Sequence, residues 1–359
     1  MLLRLLLILT SPLFVYACSE TPPSPINYSG PTADWSSYGG APGGGHFSVA
    51  TQITPENVQE LEQAWVYRSG DIRKEGETNV TYPNDQPLPV MSSAWQLTPL
   101  VLDGALFGCT PFSKVFALDA ASGRQLWLYD PGVDVSKEML VNCRGVSSWK
   151  ANENSGQSCS HRIFMGTLDS RLIALDAKTG EPCEDFGEGG QVDLSHGISE
   201  HSAFEYSSHS PPAILGNKVI IGTMVLDRVR DDMPSGVVRA YDARSGELAW
   251  YWDPIPPGQE PQFHANGEPR YERGTTNVWS IISVDKERDL VFLPTGNTST
   301  DFYGGQRNNL DYWSSSVVAL NGKTGEFVWR FQMVHHDIWD YDTPAQPTLF
   351  DFERDGQTI

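Results

Sequence analysis

Ala117-Leu118-Asp119-Ala120-Ala121-Ser122-Gly123 runs on to Trp127, and the same pattern returns three times. Its copies are Ala174-Leu175-Asp176-Ala177-Lys178-Thr179-Gly180, then Ala240-Tyr241-Asp242-Ala243-Arg244-Ser245-Gly246 with Trp250, and Ala319-Leu320-Asn321-Gly322-Lys323-Thr324-Gly325 with Trp329. In each, Asp or Asn can cap a tight turn and Gly supplies the positive φ that the turn requires; where a Trp follows on the next strand, it offers an apolar face to a neighbouring unit. The capping positions lie 57, 66 and 79 residues apart, so each unit is expected to be one propeller blade plus insertions. Apolar runs such as Arg162-Ile163-Phe164-Met165 and Lys218-Val219-Ile220-Ile221 suit four-stranded blades around a central channel. Gln63-Ala64-Trp65-Val66-Tyr67 reads as an earlier strand of the unit that ring closure completes. A solenoid or an open β-sandwich is the alternative, and the Trp-docking repeat favours the propeller over both.

Composition agrees with an all-β protein. The 359 residues are 39% hydrophobic and 11% aromatic, with 33 Gly and 25 Pro marking frequent turns. A formal net charge of −20 argues against nucleic acid, whose phosphates would be repelled, and against electrostatic adhesion to an anionic membrane. A small neutral or cationic partner fits better, and the same acidity also serves solubility.

The first 17 residues read as an export signal: Arg4 supplies charge, Leu5 to Tyr16 is apolar, and Ala17 precedes Cys18. Val15-Tyr16-Ala17-Cys18 resembles a bacterial lipobox, in which Cys18 is lipidated; plain cleavage after Ala17 is the alternative. Residues 18–33, rich in Ser and Pro, form a linker, and residues 34–359 form the folded body. Everything after Cys18 is therefore expected on the periplasmic side of a bacterial membrane. The remaining cysteines, Cys109, Cys143, Cys159 and Cys183, allow three full pairings in an oxidising compartment, and their spacing matches no zinc pattern.

One segment is chemically dense: His335-His336-Asp337-Ile338-Trp339-Asp340-Tyr341-Asp342. Acidic residues are poor strand formers, and paired imidazoles seldom serve packing. A site that moves protons or holds a metal is the functional reading, and an Asp-rich turn the structural one.

The Ala-x-Asp-Ala-x-Thr-Gly-x-x-x-Trp repeat, Cys143-Arg144-Gly145-Val146, Pro294-Thr295-Gly296-Asn297 and the segment from Val334 to Asp342 together resemble the pyrroloquinoline quinone (PQQ)-dependent dehydrogenases. The likeness is greatest to the membrane-bound glucose dehydrogenase branch, which includes quinate-type enzymes. It implies an eight-bladed β-propeller, of which this chain would supply about the first half. Gly356-Gln357-Thr358-Ile359 reads as a hairpin entering another strand, so a truncated sequence is expected.

The resemblance also implies chemistry. Oxidising an alcohol through a quinone needs a base for the hydroxyl proton, a carbonyl to accept hydride and a cation to polarise that carbonyl. Asp340 matches the base, with Asp337 and Asp342 as nearby competitors. Asp227, Asn297 and Asp340 are the expected oxygen ligands of calcium or magnesium. Trp279 matches the floor beneath the cofactor ring and Arg144 the arginine on a cofactor carboxylate. Gln96 and His209 are further expected cofactor contacts, at positions where relatives carry an acidic residue and a threonine. Phe112 replaces a histidine of the glucose enzymes. The implied activity is oxidation of a sugar or polyol, with electrons passed to a quinone or similar acceptor. Two rivals differ: a non-catalytic propeller lipoprotein needs the blades but not the site, and a cytochrome-fused alcohol dehydrogenase predicts adjacent cysteines near Arg144 that are not present in this stretch.

Overall fold

The computed structural model describes residues 34–74, 92–151, 157–227 and 229–358; the expected export signal, Cys18 and the expected linker lie outside the described residues. By contact density the chain divides in two, and the smaller unit, which includes residues 49–63, contains the 3-10 turn Val58–Glu60. All of the architecture below belongs to the larger unit, residues 33–48 and 64–359.

That unit is a β-propeller built from four four-stranded antiparallel meanders. Blade one comprises Leu100–Leu102, Ala105–Cys109, Val115–Asp119 and Gln125–Tyr129. Blade two comprises Ser147–Lys150, His161–Gly166, Arg171–Asp176 and Gln191–Asp193. Blade three has Ala213–Leu215, Lys218–Ile221, Val238–Asp242 and Leu248–Trp252, and blade four Ser283–Asp285, Leu290–Pro294, Ser316–Asn321 and Phe327–Gln332. Among the described residues the only helical segments are short 3-10 turns, none long and apolar enough to cross a membrane.

The repeat does what its residue types require. Asp119 Oδ1 accepts the Ser122 N–H at 2.8 Å, and Asp176, Asp242 and Asn321 accept from Lys178, Arg244 and Lys323, each at 2.9 Å. The closing glycines Gly123, Gly180, Gly246 and Gly325 have φ between 70° and 76°, a region that L side chains avoid. Each docked indole lies on the turn of a neighbouring unit and donates its N–H there: Trp65 to Ala120 O at 3.3 Å, Trp127 to Ala177 O at 3.1 Å and Trp250 to Gly322 O at 3.0 Å. The core accordingly lies between successive blades, as where Ile220, Val238 and Ala240 of blade three meet Val291, Leu293 and Val318 of blade four. Trp329 is the exception: it is 42% exposed, against 9% for Trp127 and 6% for Trp250. Among the described residues the segment around Trp65 forms no ladder.

Blade two lacks a Trp after its turn and is fastened differently. Cys183 is bonded to Cys159, Phe186 is fully buried, and the Gly187 N–H donates to Ser245 O of blade three at 2.8 Å. Replacing Cys159 and Cys183 by Ser is expected to destabilise the fold by about 3 kcal/mol, read as a lower denaturation midpoint that vanishes when both proteins are reduced. The second disulfide, Cys109–Cys143, joins the end of a blade-one strand to the residue before Arg144.

Glu138 is 3% exposed, and burial, with a smaller push from Asp169, raises its carboxyl to about 9 against the pull of Arg73. The folded protein therefore keeps a proton that the unfolded chain releases near pH 4.5. A raised carboxyl pKa contributes stability at low pH and loses it as pH climbs from there towards 9. Glu138→Gln, which stays neutral, is expected to raise Tm at pH 8 and to leave it unchanged at pH 4.

Candidate active site

In an up-and-down meander the starts of first strands and the ends of second and fourth strands share one edge. Every expected site residue falls there. Gln96, Arg144, His209 and Trp279 precede the first strands of blades one to four; Asp227 follows the second strand of blade three, Asn297 that of blade four, and Asp340 the fourth strand of blade four. Phe112 also lies on this edge, after the second strand of blade one.

The carboxylates of Asp227, Asp301 and Asp340 each place an oxygen within 4.8 Å of the others. Like charges at such separations repel by roughly 3–4 kcal/mol per pair at an effective dielectric constant of 20, a repulsion that a cation between them would offset. The sequence reading named Asp227 and Asp340 and missed Asp301. Asp301 is carried by the loop between the second and third strands of blade four, which the buried Arg307 holds by donating to Thr300 O at 2.9 Å, Asp301 O at 3.1 Å and Asp337 O at 2.6 Å. Asn297 stands beside the cluster: its Nδ2 donates to Asp301 O at 3.0 Å and Asp337 O at 3.2 Å, while Oδ1 accepts the Thr298 N–H at 2.8 Å. It braces the Asp301 loop.

The dense segment separates into distinct roles. Asp337 is fully buried and accepts from Ser315 Oγ at 2.7 Å and from the N–H groups of Trp339, Tyr341 and Asp342 at 3.0, 2.9 and 3.3 Å, which folds the loop. Asp342 accepts the Trp279 indole N–H at 3.0 Å and the Asn297 backbone N–H. Burial first, and then the charge of Asp340, pushes the Asp342 carboxyl up to about 6. Asp340 is half-buried at φ 60° and is the member of the segment that joins the carboxylate cluster. His335 and His336 are exposed, and His336 Nδ1 lies 2.8 Å from Asp311.

Trp279 and Arg144 meet face to cation, the guanidinium 5.0 Å from the ring centroid. Arg144 Nη1 donates to Ser210 Oγ at 3.3 Å and to Trp279 O at 3.5 Å, and its other N–H groups make no hydrogen bond among the described residues. Behind them runs a polar chain. Gln96 Oε1 accepts from Asn142 Nδ2, Asn142 Oδ1 accepts from His209 Nδ1, and His209 Nε2 accepts from Ser207 Oγ at 2.7 Å. Burial and the Arg144 charge depress the His209 imidazole to about 3, so it is neutral. Gln96 is exposed at the edge, whereas both ring nitrogens of His209 are engaged internally.

These residues fit a flat polyanion and a hard cation. The cation would meet three carboxylate oxygens, the donor type calcium and magnesium prefer, and a planar ring would meet an indole with a guanidinium beside it. Asn277 Oδ1, a buried acceptor with no hydrogen-bond partner, adds an oxygen facing Gly296.

A β-propeller with a carboxylate cluster and an indole–guanidinium pair at one edge of its blades defines the class. The family model "PQQ: Glucose/ethanol/alcohol dehydrogenase, beta-propeller domain" matches residues 35–359, and the chain belongs to that family. It is 36% identical over 358 residues to quinate/shikimate dehydrogenase (quinone) of Acinetobacter baylyi, an alignment covering 94% of this chain and 42% of that protein. It is 38% identical over 332 residues to the glycerol dehydrogenase large subunit of Gluconobacter thailandicus, covering 91% and 43%. Among solved structures, a quinohemoprotein alcohol dehydrogenase of Pseudomonas putida superposes with a TM-score of 0.67 at 27% identity, covering 91% of this chain and 44% of that one. The chain thus spans less than half the length of these relatives.

Proposed function

We propose that the whole protein is a PQQ-dependent oxidoreductase that oxidises the CH–OH group of a sugar or polyol and passes the electrons to a quinone or similar acceptor. The observation that carries this reading is the convergence of Asp227, Asp301 and Asp340, two residues from the aspartate that holds the Trp279 indole. When bound, the cofactor supplies an electrophilic carbonyl that accepts hydride, polarised by a divalent cation. Asp227, Asp301 and Asp340 hold that cation through carboxylate oxygens, and Asn297 keeps Asp301 in place. Trp279 floors the cofactor ring, Arg144 pairs with one of its carboxylates, and Gln96, braced by Asn142 and His209, offers an amide at the same edge. Asp340 takes the substrate hydroxyl proton on a carboxylate oxygen. Asp340, and neither Asp337 nor Asp342, is the member of this segment that joins the carboxylate cluster, which supports it over both.

The relatives named for quinate or shikimate and for glycerol support a small polyhydroxylated substrate. Phe112 makes its part of the edge more apolar than the histidine of glucose enzymes would, favouring a substrate other than glucose. A scaffold propeller would have no use for the carboxylate cluster or the Arg144–Trp279 pair. We further propose a lipid anchor at Cys18 with the body in the periplasm, testable by mass spectrometry of the mature N-terminus for a diacylglyceryl cysteine.

The experiment is reconstitution of the full-length protein with PQQ and calcium, followed by a screen of polyols, aldoses and quinate with an artificial electron acceptor. Cofactor-dependent turnover of at least one is expected. Absence of both PQQ binding and turnover would favour the scaffold.

A further inference from the structure

Three loops of blade four meet at one carboxylate. Asp342 Oδ2 accepts the indole N–H of Trp279, which precedes the first strand of the blade, and Oδ1 accepts the backbone N–H of Asn297, which follows the second. Asp342 itself belongs to the loop after the fourth strand, two residues beyond Asp340. The junction closes on Gly296: a Cβ there would lie 3.1 Å from Asp342 Oδ1, 3.1 Å from Trp279 Cδ1 and 3.0 Å from Asn277 Oδ1. Such contacts are too tight for any larger residue without displacing the groups around it.

We propose that Asp342 is a positioning residue, whose carboxylate fixes the rotation of the Trp279 indole and ties that plate to the loops carrying Asn297 and Asp340. The indole N–H is the ring's only hydrogen-bond donor, so a bond to it adds a directional restraint on the broad torsion that ends a tryptophan side chain. An ionised acceptor makes that bond about twice as strong as a neutral one would. The floor of the site and the loop bearing the base then move as one body. Its consequence for cofactor binding rests on the function proposed above; the geometry itself can be read without any cofactor.

The test uses the full-length protein with 15N-labelled indoles, in which Trp279→Phe identifies the Trp279 N–H resonance. In Asp342→Ala that resonance is expected to shift and its proton to exchange with solvent faster, while the other indole resonances hold their places and so report an intact fold. In PQQ titrations with calcium present, Asp342→Ala is expected to weaken binding by about 10-fold in the Trp279 protein and to have little further effect in Trp279→Phe, because the bond it breaks is already gone. An unmoved Trp279 resonance, or an equal loss of affinity in both backgrounds, overturns the proposal. Should Asp342→Ala not fold, Asp342→Leu, which is of similar shape and has no acceptor, carries the same comparisons. A wild-type protein that binds no PQQ would sink the assigned function, and the indole resonance would still decide the positioning role.

Discussion

Asp340→Asn in the full-length protein loaded with PQQ and calcium is expected to lower kcat/KM by about 10²–10⁴-fold while leaving the cofactor bound. The amide keeps an oxygen for the cation but cannot take the hydroxyl proton. The neighbouring carboxylates already serve other bonds: Asp337 accepts from Ser315 and three backbone N–H groups, and Asp342 from Trp279 and Asn297. Steady-state assays alongside PQQ absorbance measure the two effects separately. An Asn variant with near-normal turnover would assign the base to another group.

Trp250→Ala is expected to destabilise the propeller by about 3–5 kcal/mol, the largest single loss among the blade residues considered. The indole is 6% exposed and closes blade three against blade four, packed on Gly325 and bonded to Gly322 O at 3.0 Å. Truncation leaves a cavity and an unpaired carbonyl together, and the glycine turn has no side chain with which to fill the space. Trp329→Ala makes the control: that indole is 42% exposed here, so in this chain its loss should cost much less. Chemical denaturation of the two variants gives the comparison, and equal losses would contradict the docking account.

The blades were legible because each turn residue does a local job at fixed spacing. Asp119 caps its own turn, Gly123 bends it, and Trp127 reaches the next one; none depends on a distant loop. The site was legible only where short motifs carry it, at Arg144, Trp279, Asn297 and Asp340. Asp301 was hidden for the opposite reason. It lies in a loop without periodicity, and what aims it at Asp227 and Asp340 is a buried arginine and an asparagine amide from elsewhere in the chain. The division of labour within the dense segment was equally out of reach. Asp337, Asp340 and Asp342 are chemically identical, and only the donors that the fold brings to each distinguish a loop organiser, a cluster member and an indole anchor. Four cysteines likewise left three pairings open until the fold brought Cys109 beside Cys143 and Cys159 beside Cys183.

The central claim is that one cation is shared by carboxylates from two blades. An anomalous-difference map of the full-length protein crystallised with PQQ and calcium tests it directly. A single peak about 2.3–2.6 Å from oxygens of Asp227, Asp301 and Asp340 is the predicted result. A map in which the ion lies elsewhere, with those three carboxylates turned away from any metal, would contradict it.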